Sequence, residues 1–373
     1  MQVLWVSGTQ TLGRYISERE SVGEDWRPVV SSTLRWQIGL LAAFVVLALI
    51  ASPVLTGSVF QGNWWLTGAF IVAVAFYAPE YFRRGLFTGH RQFSRFGAQL
   101  IVESAGRLAI GAALLVVGFG VAGPAAAIIL APLLGVLAVP PASPEPTGRA
   151  GSAFDAGSAA RFAAPVLACM AIAQGFASGG VILVSLLGGT PVQVAVFGAA
   201  MILTRVPQYV LSPAVESLLP HLSRTLAVEG RRSFDRLALR ISAVLCLVGV
   251  SMVALTWPFG GWAVRVFTGG TAFEPERAVL VLLAALAALY LLCDLLNQVL
   301  FARGLARLSL LAWLFGVPAS ALCLVFVEAD DLLLRVSGSL VVGIAVVAAV
   351  QTMFCFLGRD GQNNKGPTAR NLL

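Results

Sequence analysis

The residues best suited to chemistry in this sequence are charged side chains inside long apolar runs. Arg205 lies near the middle of the apolar run 191–215, too deep for its side chain to reach water easily. A guanidinium group at that depth can hold a pyrophosphate or an acidic sugar through paired hydrogen bonds. A structural ion pair with a buried acid is the alternative, and the sequence leaves both open. Pro207, two positions later, either kinks the helix or frees carbonyl oxygens toward a cavity.

A second pair of charges occupies another apolar run. Glu103 and Arg107 are four positions apart, a spacing that favours an ion pair along one helix. The alternative is that Arg107 contacts substrate while Glu103 tunes it. Gln174 lies in the middle of a third run and could hydrogen-bond sugar hydroxyls or a neighbouring helix. The predicted substrate-binding residues are therefore Arg205, Arg107, Glu103 and Gln174.

Other polar residues lie where apolar runs end. Acids there could close a gate by pairing with loop arginines such as Arg84 or Arg224, or they could bind a proton or a sodium ion. They could also be interfacial charges close to water. The predicted gate or ion-coupling residues are Glu80, Arg84, Glu216, Asp294, Asn297 and Gln298.

Motifs for catalysis are missing from the sequence. It has no GxxxxGK[ST] loop, no GxSxG elbow and no HExxH pair. His90 and His221 have no metal-ligand partner at a useful spacing, and we expect both to be solvated. The five cysteines fall inside apolar runs without a disulfide or metal pattern. The sequence predicts a protein that is not an enzyme, with no catalytic residue, metal or cofactor.

Composition identifies the elements that must position these residues. Hydrophobic residues make up 58% of the 373, charged residues only 12%, and the mean hydropathy is +0.86. Soluble domains carry about 25% charged residues. Long unbroken apolar runs favour membrane-spanning helices over an outer-membrane barrel. We predict an all-α polytopic membrane protein with an N-terminal half-span at 1–12 and ten full spans at 36–55, 64–82, 97–120, 121–140, 161–187, 191–215, 241–259, 278–301, 308–327 and 332–357.

Loop charges alternate along the chain. One set of loops, with the C-terminal tail, holds 20 of the 25 basic residues, whereas the other set holds only Arg265 and Arg277. The positive-inside rule places the basic set and the C-terminus in the cytoplasm, and the protein in the inner membrane. Arginines in short loops also favour contact with membrane lipids over nucleic acid, for which no pattern is present.

Four segments carry a family resemblance. They are LGRYISERESVGEDW, YFRRGLFTGHRQFSRFGAQLIVES, LTRVPQYVLSPAVESLLPHLSR and NQVLFARGLARLS. In order and spacing they resemble the inter-helix links and the eighth helix of polysaccharide-biosynthesis flippases. That family belongs to the multidrug, oligosaccharidyl-lipid and polysaccharide exporter superfamily. The second segment places Arg84, Gly85, Gly89 and Phe93 as the family does.

The resemblance implies an organisation into two pseudo-repeated lobes. It predicts an incomplete N-terminal lobe at 1–140 (helices two to six of the family), a cytoplasmic linker at 141–160, a C-terminal lobe at 161–357 (helices seven to twelve) and a cytoplasmic tail at 358–373. The first one and a half helices of the family are expected to be missing. Aligning LFTGHR with FARGLA, which pairs Gly89 with Gly304, suggests the internal repeat.

The resemblance also implies a function. It predicts translocation of a lipid-linked oligosaccharide or polysaccharide precursor by alternating access. The implied partners are this lipid-linked glycan, membrane lipids, and a polysaccharide polymerase or glycosyltransferases. Two alternatives stay open. One is a multidrug or cation exporter of the same superfamily, and the other is a non-transporting membrane scaffold of a polysaccharide-assembly complex.

Overall fold

The protein is helical almost throughout. The computed structural model describes residues 2–60, 62–120, 122–140, 156–268, 270, 275–327 and 331–356, and no β-strand occurs in these ranges. Their α-helices are α1 (Gln2–Ser21), α2 (Arg27–Val54), α3 (Trp64–Gly89), α4 (Phe93–Val116), α5 (Ala122–Ala138), α6 (Ala156–Leu186), α7 (Pro191–Thr204), α8 (Val206–Glu216), α9 (Leu218–Val228), α10 (Arg231–Thr268), α11 (Arg277–Ala302), α12 (Ala306–Phe326) and α13 (Leu332–Phe356). A π-helical turn, Leu55–Val59, extends α2.

The apolar helices match the predicted spans. Within the described ranges, eight helices are long and apolar enough to cross a membrane, and α7 together with the bent continuation α8–α9 passes the same test as a pair. The shorter apolar helix α5 accounts for the remaining predicted span. The prediction of an all-helical multi-pass membrane protein is therefore confirmed. The N-terminal apolar segment continues as one helix to Ser21, well beyond the predicted end at Leu12.

The bent span has a local cause in the sequence. Thr190 and Gln193 form a reciprocal capping box at the start of α7. The chain turns by 47° between α7 and α8, at Arg205. Pro207 follows in the first turn of α8, where its missing N–H leaves the backbone ladder interrupted. The kink interpretation of Pro207 therefore agrees with the structure.

The helices form two compact units, Met1–Leu167 and Ala168–Leu373, so the division falls inside α6. In the first unit α3 packs against α1 and α5, and α4 packs against α5. Glycines permit the closest of these approaches. A Cβ added at Gly85 would lie 3.0 Å from the Thr9 Cα of α1, and one at Gly89 would lie 3.0 Å from the Leu12 carbonyl.

The second unit has a corresponding pattern. There α11 packs against α8 and α13, and α12 packs against α13. The α12–α13 crossing is tight because Gly316 and Gly343 face each other, and a Cβ on either would lie 2.9 Å from the carbonyl oxygen of the other. The contacts of α13 with α11 and α12 thus correspond to the contacts of α5 with α3 and α4 in the first unit. The predicted pairing of Gly89 with Gly304 does not place the two glycines at equivalent helix positions, since Gly89 ends α3 whereas Gly304 lies beyond the end of α11 at Ala302.

An arginine closes the end of α5 in the first unit and of α13 in the second. In the first unit Arg83 donates hydrogen bonds to the carbonyl oxygens of Val136 and Val139 at the end of α5. In the second unit Arg303 donates to the Cys355 carbonyl at the end of α13, at 2.6 Å. Carbonyls at a helix C-terminus lack partners within the helix and attract cations. The ends of α5 and α13 are therefore each satisfied from within their own unit.

The predicted linker 141–160 and tail 358–373 lie mostly or wholly outside the described residues, so both stay predictions.

Candidate functional site

The first unit contains a buried chain of charges between α3 and α4. Arg84 Nη2 lies 2.6 Å from Glu80 Oε1 and 2.5 Å from Glu103 Oε2. Glu103 is bound from its other side by Arg107, one turn along α4. Tyr77 completes the chain, because its hydroxyl lies 3.1 Å from Glu103 Oε1 and 2.5 Å from Arg107 Nη2. Two carboxylates and two guanidinium groups thus form one neutral network.

This network changes the interpretation of several predicted residues. Glu103 and Arg107 do form the intrahelical pair, but they share it with Glu80 and Arg84. The prediction that Arg84 is a loop arginine is wrong, because α3 continues to Gly89 and buries it. Glu80 is fully buried, and its Oε2 has no hydrogen-bond partner among the described residues. A carboxylate held this way is sensitive to loss of its arginine.

The second unit buries an uncharged polar network. Asn297 Oδ1 on α11 accepts hydrogen bonds from Ser309 Oγ at 2.5 Å and Trp313 Nε1 at 3.1 Å, both on α12. The amide of Gln351 on α13 lies 2.7 Å from the same oxygen. Cys169 Sγ on α6 contacts it at 3.6 Å. One asparagine therefore joins four helices of this unit.

The other predicted residues of this unit are placed separately. Asp294 and Gln298 are buried on α11, and neither side-chain amide atom of Gln298 has a hydrogen-bond partner among the described residues. Gln174 donates to Ser178 Oγ on its own helix at 2.7 Å and takes no part in the Asn297 network. The side chain of Glu216 lies outside the described residues. Their predicted gating or binding roles stay predictions.

Arg205 lies at the α7–α8 bend with its side chain buried. Nη1 donates to the Ala177 carbonyl of α6 at 2.5 Å, and Nε donates to Gln208 Oε1 at 3.0 Å. The guanidinium carbon is 4.9 Å from the ring centroid of Tyr209 and 5.9 Å from that of Tyr290. No carboxylate of the described residues lies within 4.0 Å of this guanidinium group. Among the described residues, the hydrogen bonds of this guanidinium group are made by Nε and Nη1, and none is made by Nη2.

The structure shows that the prediction of a solvated His90 is wrong. Its side chain is only 1% exposed, and Nδ1 lies 2.5 Å from Glu20 Oε1. The Trp26 ring packs edge-on against it at 4.8 Å. The cause is the extension of α1 to Ser21, which carries Glu20 over the end of α3. His221, in contrast, is exposed.

Sequence reasoning missed several members of both networks. Tyr77, Ser309, Trp313 and Gln351 are ordinary residues of apolar runs, and only their partners on other helices give them a role. In the part of the chain that the structure describes, no group of three or more His, Cys, Asp or Glu side chains could hold a metal ion.

Solved structures with the same arrangement of helices are transporters. The Vibrio cholerae MATE transporter VcmN aligns with a TM-score of 0.74 and 16% identity, over 97% of this chain and 85% of its own. A MOP superfamily transporter from Pyrococcus furiosus, described as having a binding pocket of reversed polarity that suggests a different function, gives 0.73 and 16%, over 95% and 83%. A eukaryotic MATE transporter gives 0.67 and 18%, over 95% and 83%. The chain therefore has the fold of MOP superfamily transporters, which are not enzymes.

Sequence comparison finds two proteins with higher identity to this chain than the solved structures have, and both are described as uncharacterized. "Uncharacterized protein Rv1510" of Mycobacterium tuberculosis is 29% identical over an alignment of 339 residues that covers 87% of this chain and 71% of that protein. "Uncharacterized protein MT1558/MT1560", from another strain, matches equally. No model of a known protein family matches the chain.

Proposed function

We propose that the protein translocates a lipid-linked oligosaccharide or polysaccharide precursor by alternating access. One observation carries this proposal. Arg205 is a buried cation in a membrane span of the second unit, with no carboxylate partner among the described residues. A charge inside the bilayer is costly unless a partner or a polar cavity receives it. A phosphate or diphosphate group meets that need, and Nη2 is the atom left to bind it.

The first unit supports the same preference. Its carboxylates Glu80 and Glu103 are already occupied by Arg84 and Arg107, so this network offers no excess negative charge. A binding site for cations needs acidic and aromatic groups free to receive them. The charge inside the described spans is thus better matched to an anionic substrate.

A multidrug or cation exporter is the second candidate. The fold likeness to proteins described as multidrug resistance transporters favours it. The buried acid Asp294 on α11 is the group that would meet a cationic drug. In the third possibility, a non-transporting scaffold, the protein would hold a polysaccharide polymerase or glycosyltransferases in the membrane without moving substrate.

We expect Arg205→Ala to reduce flipping of a lipid-linked oligosaccharide at least tenfold while leaving membrane insertion unchanged. The assay reconstitutes purified protein into liposomes that contain a fluorescent polyprenyl-diphosphate oligosaccharide, and measures the fraction that becomes accessible on the far side. Loss of one charge-assisted contact costs about 1.5–3 kcal/mol, which corresponds to about ten- to a hundredfold. Arg277→Ala, which removes an exposed arginine at the start of α11, is the matched control.

The outcomes separate the three candidates. Equal flipping by wild type and Arg205→Ala would contradict the role of Arg205. Efflux of a cationic dye without flipping would favour the multidrug exporter. Neither activity, with stable capture of a glycosyltransferase, would favour the scaffold. The proposal also places the protein in the inner membrane with its arginine-rich loops and C-terminus in the cytoplasm.

A further inference from the structure

The outward face of α10 carries three arginines in one line. Arg232, Arg236 and Arg240 are all exposed and follow one another at four-residue intervals. Residues four apart on an α-helix lie on the same face. Asp235, the acid within this stretch, is turned to the other side, where it binds Arg303 of the same unit. The three side chains, named here the arginine stripe, therefore present positive charge to the surroundings of the second unit.

The same helix face becomes apolar immediately after the stripe. Val244 is 60% exposed and Leu247 is 68% exposed. Exposed aliphatic side chains on a spanning helix face lipid tails. The change from Arg240 to Val244 thus marks the boundary between headgroups and hydrocarbon on this face.

The opposite boundary lies where a bilayer would require it. Trp262 continues the same face and is 61% exposed. It follows Arg240 by 22 positions, which at a rise of about 1.5 Å per residue is about 33 Å. The hydrocarbon core of a bilayer is about 30 Å thick, and tryptophan is enriched at its borders. The arginine stripe therefore lies at the depth of lipid headgroups, with its first residue reaching beyond them.

We propose that the arginine stripe of α10 is a binding site for anionic phospholipids of the adjacent leaflet. The phosphate groups bind the guanidinium groups by paired hydrogen bonds, while the acyl chains cover Val244 and Leu247. In the preceding helix α9, His221 and Arg224 are also exposed, whereas Leu219 and Leu222 are buried. This surface belongs to the second unit alone.

The test compares lipid binding by two triple variants with equal charge loss. In detergent, purified protein is titrated with phosphatidylglycerol or phosphatidylcholine, and bound lipid is counted by native mass spectrometry. We expect the wild type to prefer phosphatidylglycerol and the variant Arg232→Gln/Arg236→Gln/Arg240→Gln to lose about tenfold or more of that preference, since each arginine near a membrane contributes about fivefold. The control, Arg27→Gln/Arg277→Gln/Arg307→Gln, removes the same charge from exposed positions on three other helices and should keep clearly more of that preference than the stripe variant.

Two results would overturn the proposal. The first is equal affinity of the wild-type protein for both lipids. The second is an equal loss in both triple variants, which would mean that net charge alone attracts the lipid. If the stripe variant does not fold, a salt titration of the wild type replaces it. The preference should then fall as NaCl rises from about 0.05 to about 0.5 M, because exposed charges are screened, and a preference that resists salt would contradict the site.

Discussion

Replacing Arg84 by alanine should destabilise the protein by about 3–5 kcal/mol, the cost of removing one partner from a buried ion pair. Arg84 binds both Glu80 and Glu103, and its side chain is 7% exposed. Without it, Glu80 has no arginine left, because Arg107 is occupied by Glu103 and Tyr77. The measurement is thermal unfolding of the purified protein in detergent, where we expect a clearly lower melting temperature.

Arg107→Ala is the matched control for this experiment. It removes the same charge from the same network, but the Arg107 side chain is 39% exposed, so water can replace it. Its cost should stay near 1 kcal/mol, as for exposed ion pairs. The double variant Arg84→Ala/Glu80→Gln should recover part of the stability, because the uncompensated carboxylate is gone. Equal melting temperatures for Arg84→Ala and the wild type would contradict a structural role for the network.

The second large effect is expected at the α12–α13 crossing. A Cβ at position 316 would collide with the Val347 side chain and lie 2.9 Å from the Gly343 carbonyl oxygen. Because a backbone atom cannot yield as a flexible side chain does, Gly316→Ala should force the two helices apart. Overpacking of this kind costs about 1–3 kcal/mol. Unfolding in detergent measures it, and cross-linking of cysteines placed on α12 and α13 should report the separation.

Gly338→Ala provides the control on α13. An added Cβ there meets no atom within 4 Å. This change should therefore leave stability unchanged, or raise it by about 0.5–1 kcal/mol through the better helix propensity of alanine. If Gly316→Ala melted as high as Gly338→Ala, the close crossing of α12 and α13 would not be what holds this pair together.

Sequence reasoning located the helices because bilayer thickness fixes the length of an apolar run. It placed their ends less well. The adjacent charges of Arg83 and Arg84 predict a loop. Arg84 is nevertheless helical and buried, and Glu80 and Glu103 neutralise its charge inside the protein. The stretch after Glu216 was predicted as a basic loop, whereas α9 and the start of α10 make it helical. For Arg84, the ion pair with Glu103 on another helix is a contact that the neighbouring sequence does not reveal.

The predicted site was recovered unevenly for the same reason. Arg205 is recognisable from the sequence, since a lone charge in an apolar run is rare. The Asn297 network is not, because Ser309, Trp313 and Gln351 each look like ordinary residues of a span. Pairing across helices is set by packing geometry, and one-dimensional spacing reports only partners on the same helix.

Arg83 and Arg303 bind the carbonyl groups at the C-terminal ends of α5 and α13, each within its own unit. Arg83 and Arg303 act inside their own units, so the carbonyl oxygens that they bind at both helix ends have partners within the same unit. This arrangement suggests that the chain tolerates a break between α5 and α6. Dividing the chain within 141–155 and producing both pieces in one cell should therefore be better tolerated than a cut inside any helix, since the Val136 and Val139 carbonyl oxygens of the α5 end stay bound to Arg83.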